Sequence, residues 1–89
     1  MVSGILLICS QNACVLIDFD FTHSFVSYAF SQKLTRPLEP MNYLLSVSAP
    51  FGSPMICAYV YLACDIVIGG MTLYVDLLPL GIEHFDCIL

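Results

Sequence analysis

Apolar residues in this chain fall into short runs separated by turn-forming residues, and the runs have the length of strands rather than helices. Gly4 to Cys9 and Ala13 to Ile17 read as two strands joined around the polar tip Ser10-Gln11-Asn12, which delivers Asp18 to a loop. Tyr43 to Ala49 and Met55 to Cys64 read as a second pair, separated by the strong turn signal Pro50-Phe51-Gly52-Ser53-Pro54. Ile66-Val67-Ile68 and Met71 to Leu78 form a third hairpin around Gly69-Gly70, followed by a loop through Glu83-His84 and a final short strand. Only Thr22 to Leu34 departs from this pattern. There Val26, Phe30, Lys33 and Leu34 fall near helical spacing, with Thr22 or Ser24 placed to cap the start and Pro37 to stop it. The expectation is a mainly β fold with one short helix after the Asp18 loop. No internal repeat, low-complexity tract or linker divides residues 1–89, so a single domain is expected.

Composition sharpens that picture. The chain is 60% hydrophobic and 10% charged, against a charged share of about 25% in ordinary globular domains. A domain of 89 residues buries a modest fraction of its surface by itself, so part of this apolar surface is expected to meet another subunit. The net charge of -5 leaves Lys33 and Arg36 as the only basic side chains besides histidine. No basic stripe exists to follow a phosphate backbone, and no nucleic-acid partner is expected for this segment.

The uncharged span from Pro40 to Cys64 is long enough to cross a bilayer. Pro40, Pro50, Pro54 and Gly52 would break a spanning helix and leave backbone groups unpaired in lipid, so no membrane partner is expected. Gly4 to Cys9 lacks the preceding basic residue and the following cleavage pattern of a signal peptide, and reads as a first strand. Five cysteines are an odd number with no Cys-x-x-Cys pair. They read as free thiols, most of them buried within apolar runs, which suits a reducing, intracellular (cytoplasmic) setting. His23 and His84 each stand alone, so no metal site and no cofactor is expected.

The run Val15-Leu16-Ile17-Asp18-Phe19-Asp20-Phe21-Thr22-His23-Ser24-Phe25 places a carboxylate directly after an apolar strand. It resembles the retropepsin motif of gypsy-type (plant) retrotransposon polyprotein proteases, in which Leu-Ile-Asp-Ser-Gly-Ala-Thr-His-Ser-Phe carries the catalytic aspartate. Phe19, Asp20 and Phe21 stand where that family has Ser, Gly and Ala. Later segments follow in the family's order: Ala29-Phe30, Lys33-Leu34, Pro37-Leu38-Glu39, Ile68-Gly69-Gly70, Val75 to Leu80, and Phe85-Asp86-Cys87-Ile88-Leu89. The resemblance implies a retropepsin-like acid-protease half-barrel and an aspartic endopeptidase that processes a peptide or polyprotein substrate. It makes Asp18 the catalytic residue, Phe19, Asp20, Phe21 and Thr22 its active-site loop, and Pro50, Phe51, Gly52 and Ser53 a candidate flap over bound peptide. Related proteases continue past Leu89 with a glycine and further residues, so the domain reads as truncated there.

Aspartic proteolysis needs two carboxylates sharing a proton. One chain supplies one motif, so the resemblance implies a homodimer that sets Asp18 against its copy across a two-fold axis. Asp65, Asp76 and Asp86 lack the motif's following residues and are expected to serve in turn capping, solubility or pairing with basic groups. The substitutions after Asp18 remove identifiable things. Phe19 lacks the hydroxyl that joins the two loops of the dimer in the family, Asp20 lacks glycine's close approach and adds a charge, and Phe21 replaces a small side chain with a ring. Peptidase activity is therefore expected to be lost, which makes the chain a relic or fragment of a protease. The alternative is a non-catalytic dimerisation or peptide-binding module on the same fold. Asp20 as a substitute acid, or Asp18 with Asp20 as a metal pair, is disfavoured, because a metal would need further ligands that the nearby sequence does not supply.

Overall fold

The computed structural model describes residues 2–18, 23–47 and 54–89. Along these the elements run β1 (Val2–Ile8), β2 (Gln11–Ile17), β3 (Ser24–Ser27), α1 (Tyr28–Ser31), β4 (Leu38–Val47), β5 (Met55–Ile68), β6 (Met71–Leu80) and β7 (Cys87–Ile88). The strands pair in the order β1-β2-β7-β3-β6-β5-β4, and β1 also pairs with β5. That last pairing, Leu7 with Val67 and Ile8 with Ile66, closes every strand except β4 into a ring. The expected mainly β fold with one short helix is thus present as a closed barrel. No described helix is long and apolar enough to cross a membrane.

Alternation along the strands supplies two cores from one barrel wall. Val15, Val26, Leu77 and Cys87 enter a cluster with Ile8, Cys64, Ile66 and Phe30, drawn from all the strands of the ring and from α1. Their immediate neighbours Leu16, Phe25, Leu78 and Ile88 enter a second cluster with Val47 and Cys57 of β4 and β5. Successive side chains in a strand point to opposite faces, so a wall buried on both faces must be apolar at consecutive positions. The first cluster is the barrel interior, and the second lies between the wall and the β4–β5 arm.

The arm exists because β5 bends. The strand is continuous over 14 residues, but its register with β6 shifts between Tyr61 and Cys64, with an extra residue on β5. Ala63 occupies the left-handed region at φ 51, its N–H donates to Asp76 Oδ1 at 3.0 Å, and Arg36 Nε donates to the Leu62 carbonyl at 2.9 Å. This is a β-bulge held on both sides, and bulges bend strands and add twist. Beyond it, Tyr61 pairs with both Leu77 of β6 and Leu38 of β4, and Met55 to Val60 leaves the ring for β4 alone. On β4, Met41 to Leu44 face Ala58 alone, a second and larger irregularity. Pro40 is tolerated because β4 is an edge strand.

Several boundaries differ from the sequence expectation, each for a physical reason. The helix does not run from Thr22 to Leu34: it spans Tyr28–Ser31, and Ser27 caps it, its Oγ accepting the Phe30 N–H at 3.0 Å. Ser24 is not a cap but the first residue of β3. Phe25 and Val26 feed opposite cores from a strand paired on both sides, which only extended backbone allows. Pro37 lies beyond a helix that has already ended. The first turn is Cys9-Ser10, not Ser10-Gln11-Asn12, with both residues at positive φ, 49 and 64. Gln11 and Asn12 are exposed strand residues paired with Ile8 and Leu7. Met55 to Cys64 and Ile66 to Ile68 are one strand, and β4 starts at Leu38 rather than Tyr43. The Gly69-Gly70 turn is as expected, with φ 57 and 81, where glycine adopts the two-residue hairpin geometry without steric cost.

The bulge makes a stability prediction. Left-handed backbone costs a non-glycine residue roughly 1–2 kcal/mol, offset in a glycine replacement by about 0.5–1 kcal/mol of added chain freedom. Ala63→Gly is therefore expected to raise stability by up to about 1 kcal/mol, and Asp76→Ala to lower it by about 0.5–1 kcal/mol, given an exposed hydrogen bond. Urea unfolding of the two variants against the parent checks both signs.

Candidate active site

Asp18 lies one residue beyond β2 and is half-buried. Its N–H donates to the Leu89 carbonyl at 3.0 Å, and the Leu89 N–H donates to the Leu16 carbonyl at 2.9 Å. Strand geometry therefore continues through its backbone. The two-residue β7 is the wedge that makes this possible: it pairs in parallel with β2, Leu16 opposite Ile88, and antiparallel with β3, Phe25 opposite Ile88. Leu16, Ile88 and Phe25 form a row of buried side chains across three strands.

So short a strand needs other anchors, and Asp86 supplies them. Its N–H donates to the Cys14 carbonyl at 2.8 Å and its carbonyl accepts the Ser27 N–H at 2.9 Å. Its carboxylate Oδ2 accepts the Cys14 N–H at 2.8 Å. One residue thus ties β2 to β3 through three hydrogen bonds. Asp76 and Asp86 both accept hydrogen bonds from backbone N–H groups of strands distant in sequence, rather than capping local turns or pairing with basic groups.

By strand alternation Asp18 shares the face of Leu16, the one covered by the β4–β5 arm. A cavity of about 360 Å³ opens on that face, lined by Met41, Tyr43 and Leu45 of β4, Val60 and Leu62 of β5, Asp76 and Leu78 of β6, and His23 and Ser24. Ser24 is opposite Leu77 on β6 and precedes Phe25, the partner of Ile88. Asp18 and Ser24 thus stand about two strand spacings apart, roughly 10 Å. A smaller cavity of about 200 Å³ lies between Met55, where the arm enters β5, and Gly81 to His84. Phe19, Asp20, Phe21 and Thr22 of the expected active loop lie outside the described residues, as do Pro50, Phe51, Gly52 and Ser53 of the expected flap. The strands that would carry that flap, β4 and β5, flank the cavity.

The model of the retroviral aspartyl protease family matches residues 1–89. The chain belongs to that family. No curated protein matches it. Membership accounts for a closed, mainly β domain, and retroviral aspartyl proteases typically act as dimers on polyprotein substrates. In this member of the family the sequence pattern pointed to Asp18 and to the arm. It missed the cavity walls, because Met41, Val60, Asp76 and Leu78 come from three strands and share no local signal.

The remaining titratable groups of note are thiols. All five cysteines are free, and all but Cys14 are buried. Burial pushes the Cys64 thiol from 9.0 up to about 12, with the neighbouring Cys9 thiol adding to the shift. Burial does the same to Cys87, raised to about 12 with smaller contributions from Cys64 and Asp86. Cys57 is also raised by burial, and its Sγ donates to the Pro79 carbonyl at 3.1 Å. Such thiols are inert at neutral pH. Among the described residues no group of three His, Cys, Asp or Glu is arranged to hold a metal ion.

Three outcomes follow for the retroviral aspartyl protease barrel. Asp86→Ala leaves the Cys14 N–H without its side-chain acceptor and is expected to cost about 1.5–3 kcal/mol, Asp86→Asn less, as read by thermal unfolding. Thiol reagents at pH 8 are expected to label Cys14 before any other cysteine. The stabilisation that Cys64 and Cys87 contribute as neutral thiols is fully present below pH 9.0 and is lost as pH rises toward about 12, because the unfolded chain releases those protons first. A falling urea midpoint across that window, shallower in Cys87→Ala, is the expected result.

Proposed function

We propose that this domain is a retrotransposon-type aspartic endopeptidase domain, of the gypsy-type plant branch, whose catalytic loop has degenerated and whose peptidase activity is lost. The observation that carries the reading is the placement of Asp18. It stands just past the end of β2, tied through its backbone to Leu89 and, by strand alternation, on the face where the cavity opens, outside the cavity's own lining. In this reading Asp18 is the retained catalytic carboxylate, Phe19, Asp20, Phe21 and Thr22 form the altered loop, and Pro50, Phe51, Gly52 and Ser53 form the flap. A second Asp18 comes from a homodimer, in which one carboxylate would activate water and the other protonate the substrate carbonyl. Six additional charges or rings near that pair disturb this chemistry: two copies of Asp20 oppose joint ionisation of the dyad, and two copies each of Phe19 and Phe21 crowd it.

Exposed apolar residues support a partner surface. Val2, Ile5 and Leu7 on β1 are 59, 66 and 40% exposed, on a strand whose second edge meets β5 only at Leu7 and Ile8. An apolar edge of this kind is a pairing site for another chain. The alternative reading, a peptide-binding or dimerisation module without chemistry, draws on the cavity that opens beneath the β4–β5 arm.

The chain as it stands is expected to cleave no member of a peptide library between acidic and neutral pH. Phe19→Ser, Asp20→Gly and Phe21→Ala together are expected to restore cleavage that Asp18→Asn abolishes. Cleavage by the unmodified chain, blocked by Asp18→Asn, would refute the loss of activity. Sedimentation over a range of concentrations tests the dimer.

A further inference from the structure

We propose that the cavity on the Asp18 face is a binding site for a lysine or arginine side chain of an extended peptide, with Asp76 and Tyr43 recognising the cationic head. The proposal rests on the reading of that face as a peptide groove, and names the residue chemistry it selects.

The cavity has a graded lining. Met41, Leu45, Val60, Leu62 and Leu78 provide an aliphatic wall, while Asp76 is exposed beside it and Tyr43 is 61% exposed. At about 360 Å³ it is near the lower end of ligand cavities, roughly 300–1,000 Å³, which suits one or two side chains rather than a folded partner. Lysine and arginine have the matching division, an apolar stem that packs on hydrocarbon and a charged head that remains near water.

The polar groups favour a cation over an apolar occupant. An apolar side chain seated here would take water from the Asp76 carboxylate and return no hydrogen bond, whereas an ammonium or guanidinium restores the lost interactions. The aromatic face of Tyr43 adds an attraction specific to cations. Asp76 is already positioned, because its Oδ1 accepts the Ala63 N–H at the β5 bulge, so little side-chain freedom remains to be lost on binding. A chain of net charge -5 also draws cationic peptides toward it. The same carboxylate that bends the arm over the wall thereby marks the cavity beneath it.

The test uses the full chain and two otherwise identical uncharged peptides, one with lysine and one with norleucine at a single central position, in a fluorescence anisotropy titration. Because Asp76 and Tyr43 are exposed, the lysine peptide is expected to bind about threefold to fivefold more tightly at low salt, the scale of a solvent-accessible ion pair. Asp76→Asn retains an oxygen able to accept the Ala63 N–H, so the bulge is kept while the charge is removed. In that variant the preference is expected to vanish, through weaker binding of the lysine peptide and norleucine binding no weaker than in the parent, and Tyr43→Leu is expected to reduce it. Methyl resonances of Val60, Leu62 and Leu78 are expected to shift with either peptide. Equal affinity for the two peptides, or a preference that survives Asp76→Asn, overturns the charge selection and leaves the peptide groove standing. Binding of neither peptide overturns both.

Discussion

The short β7 strand, held between β2 and β3, is the constraint on which the rest of the molecule depends. It has only the pairings of Cys87 and Ile88 to define it, yet it joins strands that would otherwise have no common neighbour. Asp86 compensates for this shortness through side chain and backbone together. Take that anchor away and the row Leu16, Ile88 and Phe25 loses its middle member, the ring opens, and the backbone of Asp18 loses its acceptor on Leu89. Asp86 thereby anchors the strand whose C-terminal neighbour, Leu89, accepts the Asp18 N–H.

The high apolar content follows from the use of one wall for two cores. Leu16 and Val15, Phe25 and Val26, Leu78 and Leu77, and Ile88 and Cys87 are neighbouring pairs divided between the barrel interior and the space beneath the arm. A sheet with one wet face would need polar residues at half of these positions. The arm that covers the second core is produced by a local defect, the bulge at Ala63, stabilised by Asp76 and Arg36. Bending β5 there rather than ending it lets a single strand belong to both the ring and the arm.

The barrel of this domain of the retroviral aspartyl protease family is specified by residues spread over all of its strands. Among the described residues, the backbone of Asp18 is held through Leu16 and Leu89, and most of both cores comes from strand residues. Folding and catalysis impose different demands on a chain.

The sequence by itself determined the strand-rich character, the Gly69-Gly70 turn, free cysteines and the position of Asp18 after an apolar strand, because each of these is written in residues adjacent along the chain. Short apolar runs and glycine pairs carry their structural meaning locally. Tertiary structure alone decided that Ser24 to Ser27 is a strand, since its helical spacing yields only when β6 and β7 offer hydrogen bonds on both sides and a core on each face. It also decided that Cys9-Ser10 makes the first turn, because closure onto Asp65 and the pairing of Gln11 with Ile8 outweigh the turn preference of Gln11 and Asn12. The roles of Asp76 and Asp86 were beyond local reading for the same reason: each carboxylate meets an N–H from a strand distant in sequence, and only the closed barrel brings the two together.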